Sequence, residues 1–237
     1  MKITTGNLVK TVLILFCAAC CLLLIPIKLN IINHFILSPF EKKFAATIQF
    51  KTSRIWLPGN ILLEGVSASD KGGMVCQAAT VNINYNIAAM LLGKKEMLFS
   101  AKDVKFYKDI GLLNSVSRVL TMPTIPNVDF NTIEGDFDFQ KDAVFIKKAA
   151  ASNMNIVISG DGLIKKDGTL DCNVHFSFNK SIVGTIPDII KTTLLSNEKD
   201  GWMGITLKTA GNYAKPSLRI NSDMFQLNIK ETILKVK

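Results

Sequence analysis

The chain holds only two histidines, His34 and His175, and five cysteines, so the residue types that drive nucleophilic or metal chemistry are scarce. No G-x-S-x-G elbow is present, and no His, Cys or Asp set has metal-ligand spacing. His175 alternates onto the polar side of an apolar run, where a solvated imidazole is the plain reading and a general base the sharper one. Gly160-Asp161-Gly162 lacks the third glycine and following helix of a dinucleotide loop and reads as a turn or bulge. Asp161, Asp167 and Asp171 miss the alternate-position spacing of a calcium loop and read as turn residues. Phe99, Phe106 and Tyr107 near lysines could imitate a base-stacking platform, but core aromatics explain them and no nucleic-acid partner is expected. Asn179-Lys180-Ser181 matches a glycosylation triplet too short to carry weight. The expectation is a protein without catalytic residues, metal or cofactor.

Composition agrees with a folded binding protein. An apolar fraction of 48% in 237 residues suffices for a core, and the net charge of +9 is spread over short lysine pairs that never reach the length of a nucleic-acid tail. Such a surface suits an anionic membrane, at about 1 kcal/mol per nearby basic residue, or simply keeps sheet edges from pairing. Cys17, Cys20 and Cys21 lie in an apolar segment. Cys76 and Cys172 can form one bridge in an oxidising compartment or stay as buried thiols.

That apolar segment, Thr11 to Ile27, carries no charge and is preceded by Lys2 and Lys10. Seventeen residues at 1.5 Å rise give about 25 Å, enough for a short spanning helix that Leu29 and its neighbours can extend. Residues 1–10 read as a cytoplasmic N-terminus, 11–29 as a transmembrane anchor and 30–237 as an exported, periplasmic domain held at the inner membrane. A cleaved signal peptide, or a lipoprotein signal acylated at Cys20, is the competing reading.

From Ala45 onward the pattern has period two. Leu170, Cys172, Val174, Phe176 and Phe178 share one face while Asp171, Asn173, His175, Ser177 and Asn179 take the other. Ala79-Val81-Ile83-Tyr85, Phe137-Phe139, Ile156-Ile158 and Ile205-Leu207 follow the same rule. Asp167-Gly168 is placed for a tight hairpin with φ above zero, and Pro58-Gly59-Asn60, Lys71-Gly72-Gly73 and Gly160-Asp161-Gly162 serve as breakers. Helices are expected at Asn86–Leu92, Ile110–Leu120 and Pro187–Leu195, with a helical and proline-bearing connector near 108–127 between two β portions. The fold class is mainly β: an antiparallel meander curled into a groove or half-barrel, with about three short helices, preceded by one N-terminal transmembrane helix.

Three stretches resemble the AsmA-like proteins of Gram-negative envelopes. Ile61-Leu62-Leu63-Glu64-Gly65-Val66, then Ala79-Thr80-Val81-Asn82-Ile83-Asn84-Tyr85 and Ala88–Gly93, is similar to that family's early strand, strand and short helix. Ser159-Gly160-Asp161-Gly162-Leu163-Ile164 with Asp167-Gly168-Thr169-Leu170-Asp171 is similar to its C-terminal hairpin. Ile205-Thr206-Leu207 to Gly211, then Lys215-Pro216-Ser217-Leu218, is similar to its closing strand pair. Small type II secretion proteins of the GspN kind look like this chain too. The resemblance implies membrane-lipid traffic or outer-membrane assembly and brings no catalytic residue.

The expected function is therefore a non-enzymatic hold on phospholipid or another acyl lipid, with Leu170, Cys172, Val174, Phe176 and Phe178 as the candidate apolar groove. Ordinary sealed core explains the same face. The alternative function is a docking component of a secretion or envelope-assembly machine, taking strands from an envelope protein partner at its sheet edges.

Overall fold

The computed structural model describes residues 47–56, 59–85, 96–108, 110–123, 128–212, 215–221 and 226–230. The expected anchor at 11–29 and the helix expected at 86–92 lie outside the described residues. Among the described residues no helix is long and apolar enough to cross a membrane.

The alternating stretches form thirteen strands of one open antiparallel sheet. These are β1 (Thr47–Gln49), β2 (Thr52–Trp56), β3 (Asn60–Asp70), β4 (Gly73–Tyr85), β5 (Glu96–Phe106), β6 (Asp129–Phe139) and β7 (Ala143–Ser152). They continue with β8 (Ile156–Lys165), β9 (Thr169–Phe178), β10 (Ser196–Asn197), β11 (Met203–Asn212), β12 (Lys215–Asn221) and β13 (Gln226–Lys230). From β3 to β9 each strand pairs with its successor, and β11, β12 and β13 carry the meander on from β9. β1 and β2 lie in line along β3, and β10 adds a short rung to β11.

Among the described residues three α-helices fill two of the connections: α1 (Gly111–Val119) between β5 and β6, and α2 (Lys180–Val183) and α3 (Asp188–Leu194) between β9 and β10, with a 3-10 turn at Lys199–Gly201 before β11. Leu113 and Val116 of α1 and its C-cap Leu120 fall at the three-and-four spacing of one helical face and are buried. The segment expected to connect two β portions thus joins β5 to β6, which pair directly from Lys105↔Asp129 to Glu96↔Asp138. The sheet runs on without a seam. Pro187 precedes α3 as its N-cap, and Asn179, read above as part of a triplet, caps α2 by accepting from Ile182 N at 3.1 Å.

Two turn expectations change in detail. Only Gly168, not Asp167, takes positive φ, so β8 and β9 are joined by a three-residue loop, Lys166-Asp167-Gly168. Gly160-Asp161-Gly162 is no break at all and lies inside β8. The irregularity falls instead on the neighbouring strand, between Ile146 and Ala149 of β7.

One feature is invisible in any single strand. Ile61 and Leu63 are buried on β3, Val81 on β4 and Ala101 on β5, yet further along it is Ala78 of β4, Val104 of β5 and Phe130 of β6 that are buried. The inward set changes parity at the level of Gly65 (φ +62) and Asp103 (φ +51), whose left-handed backbone absorbs one residue of alternation. Ala79, expected to share a face with Val81, is for that reason exposed while Ala78 is buried.

The hairpin ends carry the acid-sensitive groups. Lys108 donates to Asp70 at 2.5 Å, and with the Gly72 N–H it holds that carboxyl below its ordinary range. The Thr169 N–H does the same for Asp167 at 2.8 Å. A lowered carboxylate pKa stabilises the fold above its unfolded value and loses that contribution as pH falls through the folded one. Acidification below about pH 4 is therefore expected to speed amide exchange first in the β3–β4 and β8–β9 turns, read by exchange mass spectrometry.

A candidate apolar ligand site

The strand register lines up three rows across the core face. The first is Ala101, Ile133, Ala151, Ile158, Phe176 and Ile205; the second is Phe99, Gly135, Ala149, Gly160, Val174 and Leu207. The third is Met97, Phe137, Ile146, Gly162, Cys172 and Thr209. Large side chains dominate the outer ends of the second row, while its centre is glycine, alanine, glycine. A shelf of small residues between tall ones leaves space, and a concavity of about 400 Å³ lies there. That volume falls within the range of small-molecule sites, about 300–1,000 Å³.

Its lining is apolar: Phe99, Ile133 and Phe137 on one side, Leu170 and Val174 on the other, with Leu112 of α1 above. It touches six neighbouring strands, from β5 to β11. Five spacings of about 4.8 Å make that about 24 Å from side to side.

The glycines are required. A β-carbon at Gly160 would lie 2.6 Å from Asn173 O, and one at Gly162 (φ +154) 2.6 Å from the Cys172 α-carbon. Here β8 and β9 come together too closely for side chains, which is why a sequence that reads as a breaker is built into a strand. Gly160→Ala is expected to cost about 1–3 kcal/mol, as overpacking does, measured by urea denaturation.

The strand singled out by sequence divides in two. Leu170, Cys172 and Val174 line the concavity and are half-buried. Phe176 and Phe178 are 0% exposed and stack on each other with ring centroids 6.3 Å apart, inside the core with Ile156, Ile205 and Leu207. Groove and sealed core are thus successive parts of one face. Burial raises the Cys172 thiol pKa, and raises that of Cys76 as well. Both thiols are free, on β4 and β9, with four strands between them in the sheet.

On the opposite face His175 has partners that sequence reasoning missed. Its Nε2 lies 2.6 Å from Glu198 Oε1 and its Nδ1 2.9 Å from Thr206 Oγ1. Gly204 makes room, since a β-carbon there would collide with Glu198 Oε1 and lie 2.7 Å from the His175 ring. Thr206 is legible as a neighbour only once the β9–β11 register is known, and Glu198 is 23 residues away in the chain. The hydroxyl, imidazole and carboxylate fall in the order of a nucleophilic triad. The imidazole and the hydroxyl, however, sit on β9 and β11, strands flanked on both sides by others, whose ladders consume the backbone N–H groups that an oxyanion would need. What the arrangement does physically is tie the turn after β10 to two central strands.

The three aspartates have separate partners: Asp161 accepts from Asn173 at 3.4 Å, Asp167 from Thr169 N, and Asp171 pairs with Lys208 at 3.4 Å. Phe99 and Phe106 pack against the core, and Tyr107 donates its hydroxyl to Gln77 at 2.9 Å. His34 lies outside the described residues.

Comparison of the chain with protein-family models, with curated proteins and with solved structures finds no match.

Proposed function

We propose that the chain is a non-enzymatic envelope protein that holds the acyl part of a lipid against its sheet, in membrane-lipid transport or outer-membrane assembly. The supporting observation is the apolar concavity with its small-residue floor. Each acyl methylene moved there from water contributes about 0.8 kcal/mol, so about ten of them reach the roughly 8 kcal/mol of micromolar binding without any charged contact. On this reading residues 11–29 anchor the chain in the inner membrane, its N-terminus faces the cytoplasm, and the sheet stands in the periplasm with its resemblance to AsmA-like proteins explained.

Cys172 reports on the site directly. It lines the concavity, whereas Cys76 does not, so acyl phospholipid is expected to slow maleimide labelling of Cys172 and leave Cys76 unchanged. Burial makes both thiols slower than a free thiol at neutral pH, and labelling accelerates as pH rises. Equal rates at Cys172 with and without lipid would count against the reading.

The openness of the sheet supports a second reading. β1 and β2 along one edge and β13 at the other end of the order are each paired on one side only among the described residues, so a partner strand could add there in a docking role. Isolation of the full chain in mild detergent without any stable envelope partner would sink it.

A further inference from the structure

We infer that the helix-bearing end of the sheet rests on an anionic bilayer surface. The inference rests on the anchored reading of residues 11–29. All the described helices lie at one end of the strands: α1 follows the end of β5, and α2 and α3 follow the end of β9. β1 begins at that same end, since Thr47 pairs with Ser69 next to the β3–β4 turn. The chain that emerges from the apolar Thr11–Ile27 segment therefore joins the sheet there. Seventeen residues, 30–46, separate β1 from position 29 of the sequence, and a chain of that length reaches at most about 60 Å.

The two most exposed large apolar side chains of the described residues stand at this end, Met154 at 80% and Ile189 at 76%. Met154 is in the β7–β8 turn and Ile189 on α3. The turn is tied to the start of α2 by the Asn179 amide, which donates to Met154 O at 3.1 Å and to Asn155 Oδ1 at 2.8 Å. Neither side chain serves the core, and water is a poor surrounding for both. Arg118, Lys180 and Lys199 lie at the same end without a carboxylate partner among the described residues. Asp188, beside Ile189, pairs with Lys191 at 3.0 Å, while Asp200 and Glu198, the latter 2.6 Å from His175 Nε2, are carboxylates that oppose these cations. Apolar tips among free cations match the interface of a membrane that carries anionic head groups.

The test uses the full chain, with its native cysteines changed to alanine, in vesicles of equal parts phosphatidylethanolamine and phosphatidylglycerol. An environment-sensitive fluorophore is attached after Met154→Cys, Ile189→Cys or, at the far end, Lys166→Cys. Vesicle binding is expected to blue-shift the labels at 154 and 189, nitroxide-bearing lipid is expected to quench them, and the label at 166 is expected to show neither effect. Chains that float with the vesicles but keep the 154 and 189 labels in water overturn the inference while sparing the anchor. Chains that do not float overturn both. Lipid occupancy of the concavity is read separately, by protection of the Cys172 thiol in the unsubstituted chain.

Discussion

Phe176→Ala is expected to destabilise the fold by about 3–5 kcal/mol, the cost of removing a buried ring and leaving its cavity. Domains of this kind are stable by only about 5–15 kcal/mol, so the denaturation midpoint should fall by about a fifth or more. The reason is position: Phe176 is 0% exposed, stacks on Phe178, and stands in one register row with Ile158 and Ile205. Leu170→Ala, six residues earlier on the same face, removes a half-buried side chain at the concavity and should cost clearly less. Urea denaturation of the two variants side by side checks the gradient along β9. Equal costs would mean that the concavity is as tightly sealed as the core.

Ala149→Phe should leave stability within about 1 kcal/mol of the parent and weaken acyl-lipid binding about thirtyfold. Ala149 lies in the shelf between Gly135 and Gly160, where the space is. A ring placed there would occupy volume that a ligand's methylenes need. Displacing two or three of them forfeits about 2 kcal/mol, close to a thirtyfold loss of affinity. Titration with a fluorescent fatty acid, alongside a urea curve, separates lost binding from lost folding. Unaltered binding in a folded variant would place the ligand elsewhere.

The parts of the fold that follow from local alternation could be read in the sequence, and β9 is the clearest. Its five apolar residues do share the inward face, because a period of two survives wherever one side of a strand is buried. α1 was legible for the parallel reason, its apolar residues recurring at helical spacing. α2 was not, since four residues give no period to see. Other features depend on what lies across the sheet. The parity change at Gly65 and Asp103 spans several strands, and the glycines of β8 look like breakers until β9 is laid against them. Within β9 the division between concavity and core has no sequence signal, because Val174 and Phe176 are equally apolar. It is decided by Gly135, Ala149 and Gly160 on the strands alongside. The His175 site was missed on the same ground, its carboxylate coming from a turn 23 residues away.

The most direct measurement is mass spectrometry of lipid extracted from the purified full chain and from its Ala149→Phe variant. Near-stoichiometric acyl lipid on the parent, and its loss from a variant that remains folded, is the predicted result. A folded parent free of lipid, or equal lipid on both proteins, would contradict an acyl-binding role for the concavity.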